Sequence, residues 1–172
     1  ATVHNLTIHG LTNYYIAATT GTRALVHNEY RTFPDGGSIY SGKLDNLGRP
    51  TGTIAYVTPD MLGTGTRVPG GIKPPGFGGQ AAGHARGHLH AAQLGGSGTD
   101  RSNVVTLFQN PVNHPIMSGY EGRVADWVRS GENTLYSSTP VYIGDNPIPV
   151  GVTLEAVGDN GSNFALSIIN RR

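Results

Sequence analysis

Apolar and polar residues alternate in several short runs, and the runs are separated by glycine, proline and Asn/Asp clusters. Alternation of period two predicts half-buried strands. "TVHNLTIHG", "NYYIAATT" and "RALVHNEYRTF" read as strand material, followed by a turn at Pro34–Gly37. "GSIYSGKLD" and "TIAYVTP" flank "NLGRPTG" as a hairpin. Residues 62–80 carry no period and predict a long loop, of a length that is often functional or disordered. A short strand is expected over Arg86–His90, with a turn at Gly95–Gly98. Ile116, Tyr120, Val124, Trp127 and Val128 recur at helical spacing. They predict a helix beginning near residues 111–114, where Pro111 and Pro115 are tolerated in a first turn, and ending at Gly131. "TLYSSTPVYIG", "IPVGVTLEAVG" and "NFALSII" read as further strands, the last two joined by a turn at "DNG".

Composition supports short elements. The 172 residues include 26 glycines and 11 prolines, which favours turns over long helices. The pattern predicts one α+β domain, residues 1–172, with an antiparallel sheet. No cysteine is present, so disulfides and thiolate metal sites are excluded and a metal would need oxygen or imidazole ligands. The formal charge of +1 gives little long-range attraction to nucleic acid and weighs against a sequence-reading DNA binder. No run approaches the ~20 apolar residues of a membrane span, and no basic-then-apolar signal peptide opens the chain.

The chemistry concentrates in "ARGHLHAAQLGGSGTDRSN". His88 has the ordinary pKa of a base near neutrality, and Arg86 carries charge for phosphoryl oxygens. His84, His88 and His90 suggest zinc by count, but 88 and 90 align only on a strand and 84 and 88 only on a helix. Magnesium asks for fewer protein ligands, and Asn113 or Asn103 offers the oxygen. On a helix, the eight residues from Asn113 to Glu121 return a side chain to within roughly 20° of the same face. Against these stand plainer roles: Asn113 as a cap, Glu121 as a solvated residue, Asn103 as a turn residue, and Arg49 as a surface cation. The GGSG run lacks the lysine of a phosphate-binding Walker loop, and no G-x-S-x-G is present.

"RGHLHAAQLGGSG" and the following "RSNVVTLFQNPVNHPIMSGYEGRVADWV" resemble the bacterial DNA/RNA non-specific endonucleases, in particular the short EndA-like group. The likeness is strongest over residues 86–131. It implies a ββα-metal (His-Me finger) core and cleavage of DNA, and often RNA, with Mg²⁺ or Mn²⁺. It implies His88 as general base, Asn113 as metal ligand, and Arg86 against the phosphate. Glu121 matches a helical glutamate linked to metal-bound water, and Asn103 an asparagine that supports the site. His90 stands where isoleucine is common and reads as a second substrate contact or a variation. Arg49 belongs to a hairpin similar to one with a Gly-Arg pair in the family. Ala85 replaces an aspartate frequent in the longer enzymes. Many members are secreted nucleases or toxin domains, which implies secretion or delivery and an immunity protein as partner. The rival readings are a noncatalytic binding module of a secreted effector and a zinc-dependent hydrolase.

Overall fold

The computed structural model describes residues 13–17 and 23–27 by their backbone, and residues 29–172. The run "TVHNLTIHG" lies outside the described residues. Strands β1 (Asn13–Ala17) and β2 (Arg23–His27) pair antiparallel. The main sheet is built from β3 (Glu29–Thr32), β4 (Ser38–Ser41), β5 (Thr53–Val57), β8 (Thr134–Val141), β9 (Gly151–Gly158) and β10 (Asn163–Ile169). Its order is β10-β9-β8-β5-β4-β3, with every neighbour antiparallel. Between β5 and β8 the chain leaves this sheet. It forms the hairpin β6 (His84–His88) and β7 (Val104–Phe108), then the helix α1 (Ser118–Arg129). The architecture is α+β with an antiparallel sheet, and β6-β7-α1 is the expected ββα unit.

Alternation places one face of the sheet inward. Ala55 and Val57 of β5, Tyr136 of β8, and Val152, Leu154 and Ala156 of β9 are buried. They share one core with Val105 and Leu107 of β7, Leu89, Leu94, and Val124, Ala125 and Val128 of α1. The helix buries residues 121, 124, 125 and 128. This i, i+3, i+4, i+7 stripe is the pattern of an amphipathic helix. Its first position is Glu121, a carboxylate where an apolar side chain is the rule. The opposite face is polar, with an exposed Arg129–Asp126 ion pair at 2.7 Å. Gly131, at φ +93°, lies just beyond the C-terminus, in the left-handed region that favours glycine.

Two expectations change. Strand β7, "VVTLF", is apolar but for Thr106, is buried along most of its length and shows no alternation to mark it. The helix starts at Ser118, later than the predicted 111–114. Asn110 (φ −120°, ψ 133°) and His114 (φ −144°, ψ 130°) are extended. Each precedes a proline, and the proline ring pushes the preceding residue out of the helical region. Residues 109–117 are therefore an irregular segment in front of the helix.

Candidate active site

Strand β6 alternates: Ala85 and Gly87 are buried, while His84, Arg86 and His88 lie on the half-exposed face. His88 is the last residue of the strand. Its Nε2 lies 2.9 Å from the Thr66 carbonyl oxygen. A carbonyl only accepts, so Nε2 carries the proton and Nδ1 keeps a lone pair. Nδ1 makes no hydrogen bond to the described residues. Burial pushes the imidazole below its ordinary pKa, and the Thr66 carbonyl partly offsets this.

Thr66 belongs to the long loop 62–80, whose first part is pinned to the glycine-rich turn. Gly65 N–H donates to the Ala92 carbonyl, Thr66 N–H to the Gly96 carbonyl, and Gly98 N–H to Thr66 Oγ1. A Cβ at Gly96 would run into the His90 carbonyl oxygen. The GGSG run thus serves a close approach of backbone to the strand end.

Asn113 stands on the irregular segment, where it meets β6 from the helix side. Its Nδ2 donates to Gln109 Oε1 at 3.2 Å. A Cβ built on Gly87 would come within 3.1 Å of Asn113 Oδ1. Glycine at position 87 makes room first for the Leu107 side chain, whose Cδ1 would lie 2.5 Å from that Cβ, and also leaves the Asn113 amide oxygen close beside the strand residue that precedes His88. His88, Asn113 and Glu121 line one cleft of about 200 Å³, together with Ala91, Ala92, Gln93 and Ser118. Glu121 makes no hydrogen bond to the described residues, and burial pushes its carboxyl up to about 8.

The convergence of Asn113 and Glu121 agrees with the sequence reading, but the helical period does not produce it. Asn113 precedes the helix, and the turn at 114–117 brings it round. Gln93 and Ser118 carry no motif and were not foreseen. Ser118 Oγ lies 2.9 Å from His114 Nδ1 at the mouth of α1. Arg86 does not line the cleft. It lies two residues before His88 on the same strand face, roughly 7 Å along the strand.

His90 is fully buried. The strand ends at His88, so the expected common face of 88 and 90 is not realised. The His90 Nε2 donates to the Leu94 carbonyl at 2.9 Å, its ring lies 5.8 Å from the Tyr136 ring, and burial pushes its pKa down to about 4. A substrate contact by His90 is thereby ruled out. Its place is under the cleft, as part of the support.

Asn103 is buried as well. Its Oδ1 accepts from His90 N–H at 2.7 Å, and its Nδ2 donates to the carbonyls of His90 and Ser97, each at 3.0 Å. It clips the glycine turn to the chain leaving β6. Asn103→Ala leaves these buried groups without partners and is expected to cost about 2–4 kcal/mol. A urea unfolding curve with a lowered midpoint and an unchanged slope checks this.

Arg49 is a strut. Its Nε pairs with Asp45 Oδ2 at 2.7 Å, one Nη bonds the carbonyls of Gly144 and Asn146, and the guanidinium sits 4.4 Å from the Tyr142 ring centroid. None of these partners lines the cleft, so of the supporting and substrate-binding roles open to an arginine in this hairpin, the contacts of Arg49 are those of a support.

The zinc arrangement fails on geometry. His84 Nδ1 accepts from Gly78 N–H, and His90 turns inward to Leu94. Among the described residues, no group of three or more His, Cys, Asp or Glu is placed to hold a metal. The oxygen donors lining the cleft are the amides of Asn113 and Gln93, the Glu121 carboxyl and the Ser118 hydroxyl. That hard, sparse set suits a magnesium-type ion that keeps most of its water.

Residues 27–160 match the family model described as DNA/RNA non-specific endonuclease. The chain belongs to the DNA/RNA non-specific endonuclease family. Solved structures of similar fold include NucA from Streptococcus agalactiae with magnesium bound, at 21% identity and a TM-score of 0.68, covering 93% of this chain and 83% of that one. The Sda1 nuclease with zinc bound is 19% identical, with a TM-score of 0.67, covering 90% of this chain and 79% of the other. An extracellular endonuclease is 20% identical, with a TM-score of 0.61 and coverage of 84% and 83%. No curated protein matches the chain. No helix among the described residues is long and apolar enough to cross a membrane.

Proposed function

We propose that this endonuclease is metal-dependent, hydrolyses phosphodiester bonds of DNA and of RNA, and does so from the cleft between β6 and α1. The observation that carries the reading is the meeting there of an imidazole with a free Nδ1 and an amide oxygen beside Gly87. His88 takes a proton from the attacking water through Nδ1, while the Thr66 carbonyl holds the ring and fixes its tautomer. Asn113 would hold the metal through its amide oxygen, and the Glu121 carboxyl would lie beside it in the same cleft. A hydrated Mg²⁺ or Mn²⁺, when bound, supplies Lewis-acid stabilisation of the phosphoryl charge. Arg86 adds a guanidinium on the same strand face as His88.

Contacts of this kind address phosphate rather than base edges, which accounts for low sequence preference. The formal charge of +1 gives little long-range steering, so binding depends on local arginines. The extracellular endonuclease of similar fold supports secretion; delivery as an effector and an immunity protein as partner are what the sequence resemblance implies.

Digestion of closed-circular plasmid and of RNA in Mg²⁺, Mn²⁺, Zn²⁺ and EDTA tests the proposal. Cleavage of both substrates in Mg²⁺ or Mn²⁺, with 5′-phosphate ends and no cleavage in EDTA, is expected. Undiminished cutting in EDTA would overturn the metal requirement. A folded protein that cuts neither substrate with any metal would overturn the proposal altogether.

A further inference from the structure

The half-exposed face of β6 continues beyond the cleft as a row of three rings with a guanidinium at each end. Arg86 lies 5.3 Å from the Phe77 ring centroid. Phe77 faces His84 at 6.4 Å, and His84 meets Phe108, its cross-strand partner, edge-on at 5.1 Å. Arg172 closes the row, 5.7 Å from the Phe108 centroid. These contacts fix the groups in place. Gly78 N–H donates to His84 Nδ1 at 3.0 Å, which sets the ring. A Cβ built on Gly83 would lie 3.0 Å from the Arg172 guanidinium, so that side chain lies close against the backbone.

Two features distinguish the strip from ordinary packing. Phe77, His84 and Phe108 are each half-buried, leaving ring surface at the solvent boundary. Its cations also have no anion of their own. The ion pairs among the described residues join Arg49 to Asp45 and Arg129 to Asp126, so Arg86 and Arg172 are not neutralised by a carboxylate. The strip begins two residues from His88 and reaches His84, roughly 13 Å along the strand from it. That distance is on the scale of a few nucleotides.

We propose that Phe77, His84 and Phe108, flanked by Arg86 and Arg172, form a binding track for single-stranded nucleic acid, on which bases next to the scissile phosphate stack. The inference rests on the nuclease reading and names a substrate class for the same site. Unpaired bases have free faces for aromatic and guanidinium planes, whereas duplex bases are already stacked on one another. Stacking on any base explains contact without sequence preference. The guanidiniums at the two ends take the phosphates that flank the stacked bases. Pre-ordered rings and cations reduce the entropy lost on binding.

Fluorescence anisotropy of the full chain carrying His88→Ala, in EDTA, measures binding without cleavage. The probes are an oligothymidylate of about ten nucleotides and an abasic oligomer with the same number of phosphates. The oligothymidylate is expected to bind about tenfold more tightly. Adding Phe77→Leu removes most of that preference. Adding Arg172→Gln weakens both probes and lowers the salt slope by about 0.7. Equal affinity for the two probes, no binding of either, or a preference untouched by Phe77→Leu overturns the track. The comparison of probes needs no track variant, so it decides even where Phe77→Leu does not fold. Failure of the nuclease reading shows elsewhere, as absence of cleavage by the unaltered chain across the metals.

Discussion

His88→Ala is expected to nick plasmid about 10²–10⁴-fold more slowly than the unaltered chain in Mg²⁺, with the fold intact. His88 is the only imidazole lining the cleft among the described residues, and its bond to the Thr66 carbonyl commits Nε2 as the donor. The lone pair on Nδ1 is then available for the attacking water. Truncation removes that base without emptying the core, because His88 sits at the rim of the strand. Burial lowers its pKa, so the neutral base is present at and below the ordinary histidine value of about 6.5. The rate of the unaltered chain therefore rises with pH only on an acid limb below about 6.5. The variant loses that limb. Initial nicking rates between pH 5 and 8 read both effects.

Stability follows the same sign for the histidines. His88 and His90 have folded pKa values below their unfolded ones, so the folded state binds fewer protons. Their contribution is present above about 6.5 and is lost as pH falls, for His90 through about 4. Glu121 runs the other way. With its carboxyl pushed up to about 8, its contribution is complete below the unfolded value and is lost as pH rises through about 8. A cation at the cleft favours the carboxylate and opposes that loss.

Asn113→Ala is expected to lose activity and metal affinity together, each by about 100-fold or more. The amide is held on one side by Gln109, and its oxygen rests beside Gly87, where no side chain competes for the position. Alanine leaves the Glu121 carboxyl and the Ser118 hydroxyl as the oxygen groups lining the helix side of the cleft among the described residues. Asn113→Asp keeps an oxygen ligand and is expected to retain part of the affinity. Calorimetric titration with Mg²⁺, paired with nicking rates, separates metal loss from loss of fold. A further readout is thermal: bound Mg²⁺ raises the melting temperature of the unaltered chain by mass action, and this rise is expected to vanish in Asn113→Ala. Unchanged metal affinity in the folded variant would remove Asn113 from the metal site.

Strands β5 and β9 were legible because each has one wet face and one dry face. The alternation of Thr53–Val57 and Gly151–Gly158 is the burial pattern itself. β7 hid because it is buried along most of its length, and an apolar run has no period to read. The helix start was misplaced because the apolar spacing of residues 116–128 was extended back through two prolines. The residues before them are extended instead. Asn113 and Glu121 nevertheless met, because the irregular segment delivers Asn113 to the mouth of the helix. Glu121 was legible in another way: a carboxylate at the first position of a buried stripe is costly unless a cation or a reaction uses it. His90 was misplaced because two-residue periodicity holds only while a strand lasts, and this one stops at His88. Apart from Asp45, four residues away, Arg49 finds its partners about a hundred positions along the chain, and local sequence carries no trace of those.

The most direct test of the central claim is the nicking rate of His88→Gly in Mg²⁺ as imidazole is added. Removing the side chain opens space beside the water while leaving Asn113 and Glu121 in place. The account predicts a protein nearly inactive alone, whose rate climbs with imidazole and then saturates. A His88→Gly protein that cuts at the full rate without imidazole would contradict it. So would one that binds Mg²⁺ normally yet gains nothing from the added base.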